Sequence, residues 1–391
     1  MKIQIVGSTH PGYSISKDSA LRFSGIAAGI CYMPDTFKTL QDEPLEKTVK
    51  RIRGCIKSGH HSVLDHVVIN FIFENIPKFL AMVLNNEKVY TTSEKSARYT
   101  IMKTDSTEGI LYDKWLNIFK EKISEVYPKI DESKVQKLAQ ENARYLISVF
   151  TPATTMMYTV SLRQLNLIIS WMKKYIAQEH TDTFSVKVKD MFQEFLSTKV
   201  FNDGFTLQDF AIPGLNDGAK NRSLSIFAPN SVRYEEFGEC YCTNYLASFA
   251  QLAQAHRHRT IKYEMSFPER KPRYYVPPII QKTPYRDEWL SDIASLEGNY
   301  PQGRMVLVNE RGTLDDLVLK CMERLCGQAQ LEIANQTQTT LKRYLANVKS
   351  CRPDLYQRLL PYSKGARCTF PDWKCQSPCI FGGANALKRT I

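Results

Sequence analysis

The chain has 391 residues, of which 43% are hydrophobic, 24% charged and 11% aromatic, with 18 glycines and 18 prolines. This composition excludes collagen-like, low-complexity and disordered classes, and the length predicts two domains or one large one. The chain has 52 lysines and arginines against 40 aspartates and glutamates, which gives a net charge of +12. A positive charge of this size attracts polyanions and phosphorylated small molecules. A basic surface that only contacts solvent would have the same composition.

The expected location is the cytoplasm. No apolar run approaches the ~20 residues that a membrane span needs. Residues 1–6, Met-Lys-Ile-Gln-Ile-Val, alternate like a short strand and lack the apolar core of a signal peptide. The ten cysteines are therefore expected to be reduced thiols.

The first half of the chain alternates between helical and strand patterns. Apolar residues spaced by three and four predict a helix over 37–58 that Gly59 terminates. A strand over 67–73 and a helix over 77–84 follow. Further on, the pattern predicts helices over 138–150 and 162–175, with a strand over 156–160 between them.

A boundary is predicted near the middle of the chain, and the order of elements then recurs. Glycine, proline, asparagine and aspartate punctuate residues 202–223. Beyond them we predict a helix over 239–255 and a strand over 305–308. Thr313 and Asp316 form a capping box that opens a helix expected to run through Leu331 towards Val348. The recurrence suggests a repeat of about half the chain.

Five of the seven histidines lie in two short segments. The first contains His60, His61, Asp65 and His66, whose spacing does not fit the metal-binding pattern H-E-x-x-H. An active-site turn is favoured there over a metal site, with structural histidines as the alternative.

The second histidine segment is strongly basic. Arg257-His258-Arg259 follows an apolar stretch, and further lysines, arginines and aromatic residues continue to position 275. Guanidinium pairs suit phosphate and carboxylate groups. A nucleotide-cofactor pocket, a stacking platform for single-stranded nucleic acid and a solvated basic loop all fit this composition.

The C-terminal region carries three cysteines spaced C-x6-C-x3-C: Cys368, Cys375 and Cys379. Cys351 would complete a four-thiol set for structural zinc, although buried apolar thiols are the favoured interpretation. No P-loop, G-x-G-x-x-G or G-x-S-x-G motif is present, so the usual phosphate loops and serine hydrolase elbow are not supported.

Together these residues resemble the flavin-dependent thymidylate synthases, the ThyX family. That family has a G-H-x-[ST]-x-x-E-H turn followed by R-H-R-x7-S-x-R-Y. Residues 59–66 match the turn, with Ser62 at its S/T position and Asp65 replacing glutamate. Asn86-Glu87-Lys88 occupies the R-H-R position, whereas Ser96-Ala97-Arg98-Tyr99 reproduces the S-x-R-Y end, with Glu94 at the family's glutamate.

The second half resembles the complementary part of the motif. Gln254 precedes Arg257-His258-Arg259 at the family's Q-x-x-R-H-R spacing, but Phe267 replaces the serine. Arg324 precedes residues 328–333 as the family's late arginine precedes A-Q-x-E-I. The first half lacks that element, but its Arg144 and Ser161-Leu162-Arg163 resemble the family's mid-chain arginine and N-A-R triplet.

The resemblance implies an α+β protein of two tandem ThyX-like units, over 1–205 and 206–391, each a mixed or antiparallel sheet packed with helices. The first unit keeps the serine loop and the second keeps R-H-R. ThyX enzymes are homotetramers with sites between subunits, so the expected assembly is a homodimer that mimics the tetramer and has composite sites.

The resemblance further implies FAD-dependent methylation of dUMP to dTMP, with methylenetetrahydrofolate and NADPH as co-substrates. Arg324 would be the catalytic residue, favouring ionisation of the uracil. The implied dUMP ligands are Gln254, Arg257, Glu94, Ser96, Ala97, Arg98 and Arg144. The implied FAD contacts are Ser62, Arg257, His258, Arg259, Glu94 and Arg163. No protein-bound metal is expected.

Two other functions stay open. The same fold would support a related flavin and folate chemistry, such as hydroxymethylation of a uracil nucleotide. An inactive descendant that binds nucleic acid or regulates another process would explain the basic charge, but the selective survival of the site elements argues against it. No membrane partner is expected.

Overall fold

A computed structural model describes residues 1–9, 16–30, 36–96, 98, 107–201, 204–215, 222–227, 233–371, 373–377 and 379–391. The strands are β1 (Lys2–Ser8), β2 (Val68–Pro77), β3 (Tyr90–Glu94), β4 (Pro152–Ser161), β5 (Glu236–Phe237), β6 (Cys240–Ser248), β7 (Lys262–Ser266) and β8 (Met305–Thr313). The helices are α1 (Lys17–Gly29), α2 (Phe37–Gln41), α3 (Leu45–Ser58), α4 (Lys78–Asn86), α5 (Thr107–Val126), α6 (Glu132–Ala143), α7 (Leu162–Ile176), α8 (Thr183–Ser197), α9 (Phe249–Ala255), α10 (Tyr285–Ser295), α11 (Leu314–Arg324), α12 (Leu331–Cys351) and α13 (Pro353–Leu359). None of the helices in the described ranges has the length and apolar character needed to cross a membrane.

The strands form two four-stranded antiparallel sheets with the same internal order. The first sheet runs β1-β2-β4-β3 and the second runs β5-β6-β8-β7. Phe71 faces Tyr158 across β2 and β4, and Tyr245 faces Val308 across β6 and β8. The predicted α+β class with one sheet in each of two units is confirmed.

By contact, the chain divides into two compact units that are not its two sequence halves. Unit 1 comprises Met1–Lys95 and Phe150–Leu224, and unit 2 comprises Ser96–Val149 and Ser225–Ile391. The boundary expected between 205 and 206 therefore remains a prediction about a sequence repeat.

Segment Ser96–Val149 is built into unit 2 by both apolar and backbone contacts. The rings of Trp115 on α5 and Trp289 on α10 meet edge to face, with centroids 4.9 Å apart. The Trp115 Nε1–H donates to Asp292 at 2.7 Å. Gly303 N donates to Tyr145 O at 2.8 Å. A β-carbon on Gly303 would lie 2.7 Å from Ile293 Cδ1 and 3.1 Å from Tyr145 Cβ, so the close approach needs glycine there.

In unit 1, β2 alternates buried apolar residues with partly exposed ones, as a half-covered strand does. Phe73 contacts Tyr158 and Phe195, with ring centroids 5.9 Å and 5.3 Å apart. At the start of α3, Glu43 accepts from Arg51 Nη2 at 2.6 Å. That bond is the chief reason why the pKa of Glu43 falls to about 2.

A fully buried ion pair lies within the unit 2 core. Lys320 Nζ on α11 donates to Glu310 Oε2 on β8 at 2.5 Å, and neither side chain is exposed. The hydroxyls of Tyr241 and Tyr245 donate to the same carboxylate at 2.7 Å and 2.5 Å. The charge of Glu310 is therefore satisfied by three donors in a low-dielectric environment.

Several predicted elements are confirmed. Residues 162–175 form α7, Gly59 ends α3 with φ +83°, and the Thr313–Asp316 box caps α11. The strands predicted at 1–6, 67–73, 156–160 and 305–308 are also present, with shifted ends, as is the helix predicted over 77–84.

Four predicted helices are wrong in extent or type. The helix over 37–58 is two helices, because residues 42–44, ending in Pro44, separate α2 from α3. The expected helix over 138–150 ends at Ala143, and the one over 239–255 is strand β6 followed by the short α9. The helix from Thr313 stops at Arg324 and a new one begins at Leu331.

Candidate functional site

The R-H-R segment follows directly on the short helix α9 of unit 2. Ser248 caps this helix, since its hydroxyl accepts from Gln251 N at 3.0 Å. Gln254 stands in the last turn, and its Nε2 is buried without a hydrogen-bond partner among the described residues. In the following turn His258 is buried, whereas Arg257 and Arg259 are exposed. The helix and the turn after it therefore combine one buried amide with two exposed arginine residues.

Arg324, the last residue of α11, contacts this turn directly. Its Nε donates to His258 Nε2 at 2.7 Å. Glu323 Oε2 lies 3.7 Å from His258 Nδ1 and 3.5 Å from Arg324 Nη2. Two elements that are separated by 66 positions in the sequence are thus joined side chain to side chain.

Arg98 reaches the same unit from the first half of the sequence. Its Nε donates to Glu141 on α6, and its Nη2 donates to the Gln328 carbonyl at 2.8 Å. The Ser96 hydroxyl accepts from Arg98 N at 3.3 Å, which tightens the serine loop. The S-x-R end of one half of the motif is thereby fixed beside the segment that follows Arg324.

Arg144 is the most enclosed cation of the group. It follows α6 and is 4% exposed. Its Nε and Nη2 atoms are buried and have no hydrogen-bond partner among the described residues. Burial lowers the pKa of this guanidinium, while the negative charge of Glu141 opposes the shift. Buried donors of this kind are costly unless a ligand supplies acceptors.

Three pairs among the four arginines act on one another electrostatically: Arg98 with Arg144, Arg98 with Arg324, and Arg257 with Arg324. Burial is the main reason why the pKa of Arg324 is lowered, and the positive charges of Arg98 and Arg257 lower it further. The charge of Arg98 also lowers the pKa of Arg144. Unit 2 therefore links the four arginines in a series of neighbouring positive charges, an arrangement suited to an anion.

A buried polar network supports this cluster. Glu332 accepts from Ser248 N at 2.9 Å, from Ser248 Oγ at 2.6 Å and from Tyr145 OH at 2.8 Å. Gln330 Nε2 donates to the same tyrosine oxygen. Burial raises the pKa of Glu332. The network ties α12 to the start of α9 and to the residue next to Arg144.

Sequence reasoning missed two members of this site, Tyr145 and Glu332, and one further buried polar residue of the same unit, Gln302. Gln302 is 1% exposed, and neither polar atom of its side chain has a partner among the described residues. Glu332 is the glutamate of the A-Q-x-E-I element and was available as a signal. Tyr145 carries no local signal, because only long-range pairing brings it to the site.

Three other predicted site residues lie in unit 1, where each has local contacts. Arg163 Nη1 donates to Asp65 at 2.9 Å, and Ser62 lines a cavity beside His60 and His66. The carboxylate of Glu94 accepts from Lys78 Nζ at 2.5 Å. Ala97, also predicted, lies outside the described residues.

The four cysteines considered as an alternative zinc site do not form one cluster, and none of the four is fully buried. Cys351 ends α12 and is exposed, and its thiol donates to Asn347 O at 3.1 Å. Cys326 instead joins Cys368, Cys375 and Cys379 around a cavity of about 110 Å³. Within the described ranges, no three His, Cys, Asp or Glu side chains are arranged to hold a metal ion.

Comparison with known proteins identifies relatives. Residues 16–196 match the sequence model of the thymidylate synthase complementing protein family, Thy1. A flavin-dependent thymidylate synthase from Thermococcus onnurineus (strain NA1) is 25% identical over 143 residues, which cover 34% of this chain and 55% of that protein. The chain thus spans about half the length of this curated relative.

Two solved structures are also similar. ThyX from Helicobacter pylori, solved with FAD and dUMP, is 14% identical at a TM-score of 0.31. This match covers 54% of this chain and 100% of the Helicobacter pylori chain. The UMP/dUMP methylase PolB from Streptomyces cacaoi, bound with 5-Br dUMP, is 15% identical at a TM-score of 0.33. This match covers 49% of this chain and 86% of the PolB chain. Residues 16–196 are therefore similar to the thymidylate synthase complementing protein family, the ThyX family that the sequence motifs resemble.

Proposed function

We propose that the protein is a flavin-dependent enzyme that methylates dUMP to dTMP, with methylenetetrahydrofolate as one-carbon donor and NADPH as reductant. The observation that carries this proposal is the buried guanidinium of Arg144, whose Nε and Nη2 lack partners among the described residues. Gln254 Nε2 is a second buried donor in the same condition. A nucleoside monophosphate has the phosphate and carbonyl oxygens that such donors require.

Each group of the cluster has a proposed role. Arg98, Arg144, Arg257, Gln254 and Ser96 bind dUMP, and Arg324 stabilises the negative charge that develops on the uracil. When bound, FAD supplies the hydride chemistry. The exposed Arg257 and Arg259 are suited to its phosphates, and Ser62, Ala97, Glu94 and Arg163 keep the roles that the family resemblance implies.

The arginine cluster draws on both halves of the sequence, which supports a composite site. Arg98 and Arg144 come from the first half, whereas Arg257 and Arg324 come from the second. The two sheets have the same strand order, which supports descent from a duplicated ThyX-like unit. We further propose a homodimer that replaces the family's tetramer.

The test is a turnover assay on the purified protein with FAD, dUMP, methylenetetrahydrofolate and NADPH, read by mass analysis of the nucleotide product. We expect dTMP, and we expect Arg324→Ala to lower kcat by roughly 10²–10³-fold, as loss of one oxyanion-stabilising donor does. Arg257→Ala should weaken binding of both FAD and dUMP.

The matched control is Arg358→Ala. Arg358 is an exposed arginine of the same unit and pairs with Asp315 at 2.6 Å, so its loss should leave turnover unchanged. A hydroxymethylated product would identify the related chemistry instead. Salt-sensitive binding to oligonucleotides by a protein that takes up no FAD would refute the proposal in favour of a nucleic-acid-binding descendant.

A further inference from the structure

His258 is set in one tautomer by its hydrogen bond to Arg324. Arginine stays protonated in proteins and its Nε–H can only donate. The 2.7 Å contact therefore requires His258 Nε2 to be an unprotonated acceptor, which puts the ring proton of the neutral form on Nδ1. Nδ1 in turn lies 3.7 Å from Glu323 Oε2.

The histidine is the rigid partner of this pair. Its side chain is 1% exposed, and its backbone N–H donates to Ala255 O at 2.9 Å in the turn after α9. Arg324, by contrast, is the final residue of α11, with a long side chain and several rotatable bonds. A fixed acceptor on a buried ring therefore decides where this guanidinium lies.

The acceptor on His258 matters because Arg324 lies among charges of both signs. The charges of Arg98 and Arg257 act on Arg324, and Glu323, the nearby carboxylate, is 46% exposed and screened by water. Binding through Nε leaves the edge formed by the two Nη atoms to other partners. Without the histidine, the Arg324 guanidinium would lose the buried acceptor that fixes its orientation.

We infer that His258 is a positioning residue, which holds the Arg324 guanidinium in the orientation that meets the substrate. This inference rests on the proposed function and deepens it, since it gives the R-H-R histidine a role beyond contact with the flavin. The role predicts that loss of the histidine and loss of the arginine damage the same step.

The test is a double-mutant cycle with two substitutions at the histidine. His258→Phe removes the acceptor and keeps an aromatic ring, whereas His258→Gln keeps an acceptor at similar reach. We expect His258→Phe to lower kcat of the FAD-saturated enzyme by about 10–100-fold, and His258→Gln, which keeps an acceptor, to lower it at least about threefold less. The variant combining His258→Phe with Arg324→Ala should be no worse than Arg324→Ala alone.

An equal loss of kcat in His258→Phe and His258→Gln, with loss of FAD from both variants, would overturn the inference. Fully additive effects of His258→Phe and Arg324→Ala on kcat would also overturn it. If the protein binds dUMP without turning it over, the same cycle is read on the dUMP Kd. If it does neither, the proposed function fails. The inference is then decided by ¹⁵N NMR of histidine-labelled protein, in which a proton on Nε2 of His258, or a resonance that Arg324→Ala does not move, would overturn it.

Discussion

Arg144 and Arg389 are two buried arginines of unit 2 whose replacement by methionine should have opposite effects. Arg144 is 4% exposed with two nitrogens unpartnered among the described residues. Arg389 is 7% exposed, and its three nitrogens donate to Ile391 O, Ala386 O and Ala329 O at 2.6–2.7 Å. The first side chain therefore has unmade hydrogen bonds where the second has satisfied ones.

The magnitude follows from the cost of these unmade bonds. An unsatisfied buried donor costs about 1–3 kcal/mol, so two nitrogens cost about 2–6 kcal/mol before the attraction of Glu141 and Glu332 is subtracted. We expect Arg144→Met to raise the free energy of unfolding of the ligand-free protein by about 1–3 kcal/mol. Arg389→Met should lower it by about 3–5 kcal/mol, because three buried carbonyls lose their donor.

Arg144→Met should weaken nucleotide binding although it stabilises the ligand-free protein. Two charge-assisted hydrogen bonds are worth about 3–6 kcal/mol, so Arg144→Met should weaken dUMP binding by about 10²–10⁴-fold. Urea unfolding without ligand measures the first effect, and titration calorimetry with dUMP measures the second. Destabilisation of the free protein by Arg144→Met, or a dUMP Kd within about threefold of wild type, would refute the reasoning.

Three further outcomes are expected from urea unfolding. Glu43→Gln removes the ion pair with Arg51, and because the pKa of Glu43 is lowered to about 2, its stabilising effect should be full above about pH 5 and disappear as the pH falls towards 2. A difference from wild type that persists at pH 2 would contradict this. Gly303→Ala should cost about 1–3 kcal/mol through overpacking, whereas Gly298→Ala, which meets nothing within 4 Å, should be nearly neutral; equal costs would contradict the packing argument. Lys320→Met should cost about 3–5 kcal/mol because it leaves a buried carboxylate unpaired, and a cost under about 1 kcal/mol would contradict that.

Local signals in the sequence predicted those elements whose ends are locally determined. Gly59 ends α3 because its left-handed conformation suits glycine, and Thr313 with Asp316 opens α11 through reciprocal hydrogen bonds. Segment 239–255 misled the helix prediction because Tyr241, Tyr245 and Phe249 are spaced by four. That spacing fits one face of a helix and equally one face of a strand. Residues 240–248 form a strand because their backbone pairs with β8.

The candidate site was predictable where it coincides with a motif and not where it depends on packing. Arg98 and Arg324 could be named from their motif positions, although nothing local indicates that both lie in one unit. Tyr145 resembles any apolar-face residue of a helix. Its role arises because Gly303 pairs with its backbone and Glu332 accepts from its hydroxyl, contacts that span more than 150 residues.

The interleaving of the two units sets an order of events during synthesis. Unit 1 is complete once residue 224 has left the ribosome, whereas segment Ser96–Val149 must wait for residues 225–391. Trp115, Phe119 and Tyr145, all buried in the finished protein, are meanwhile without their C-terminal packing partners. Such a segment exposes apolar surface in the nascent chain until α10 and β8 are made, and we expect that surface to be prone to aggregation during synthesis.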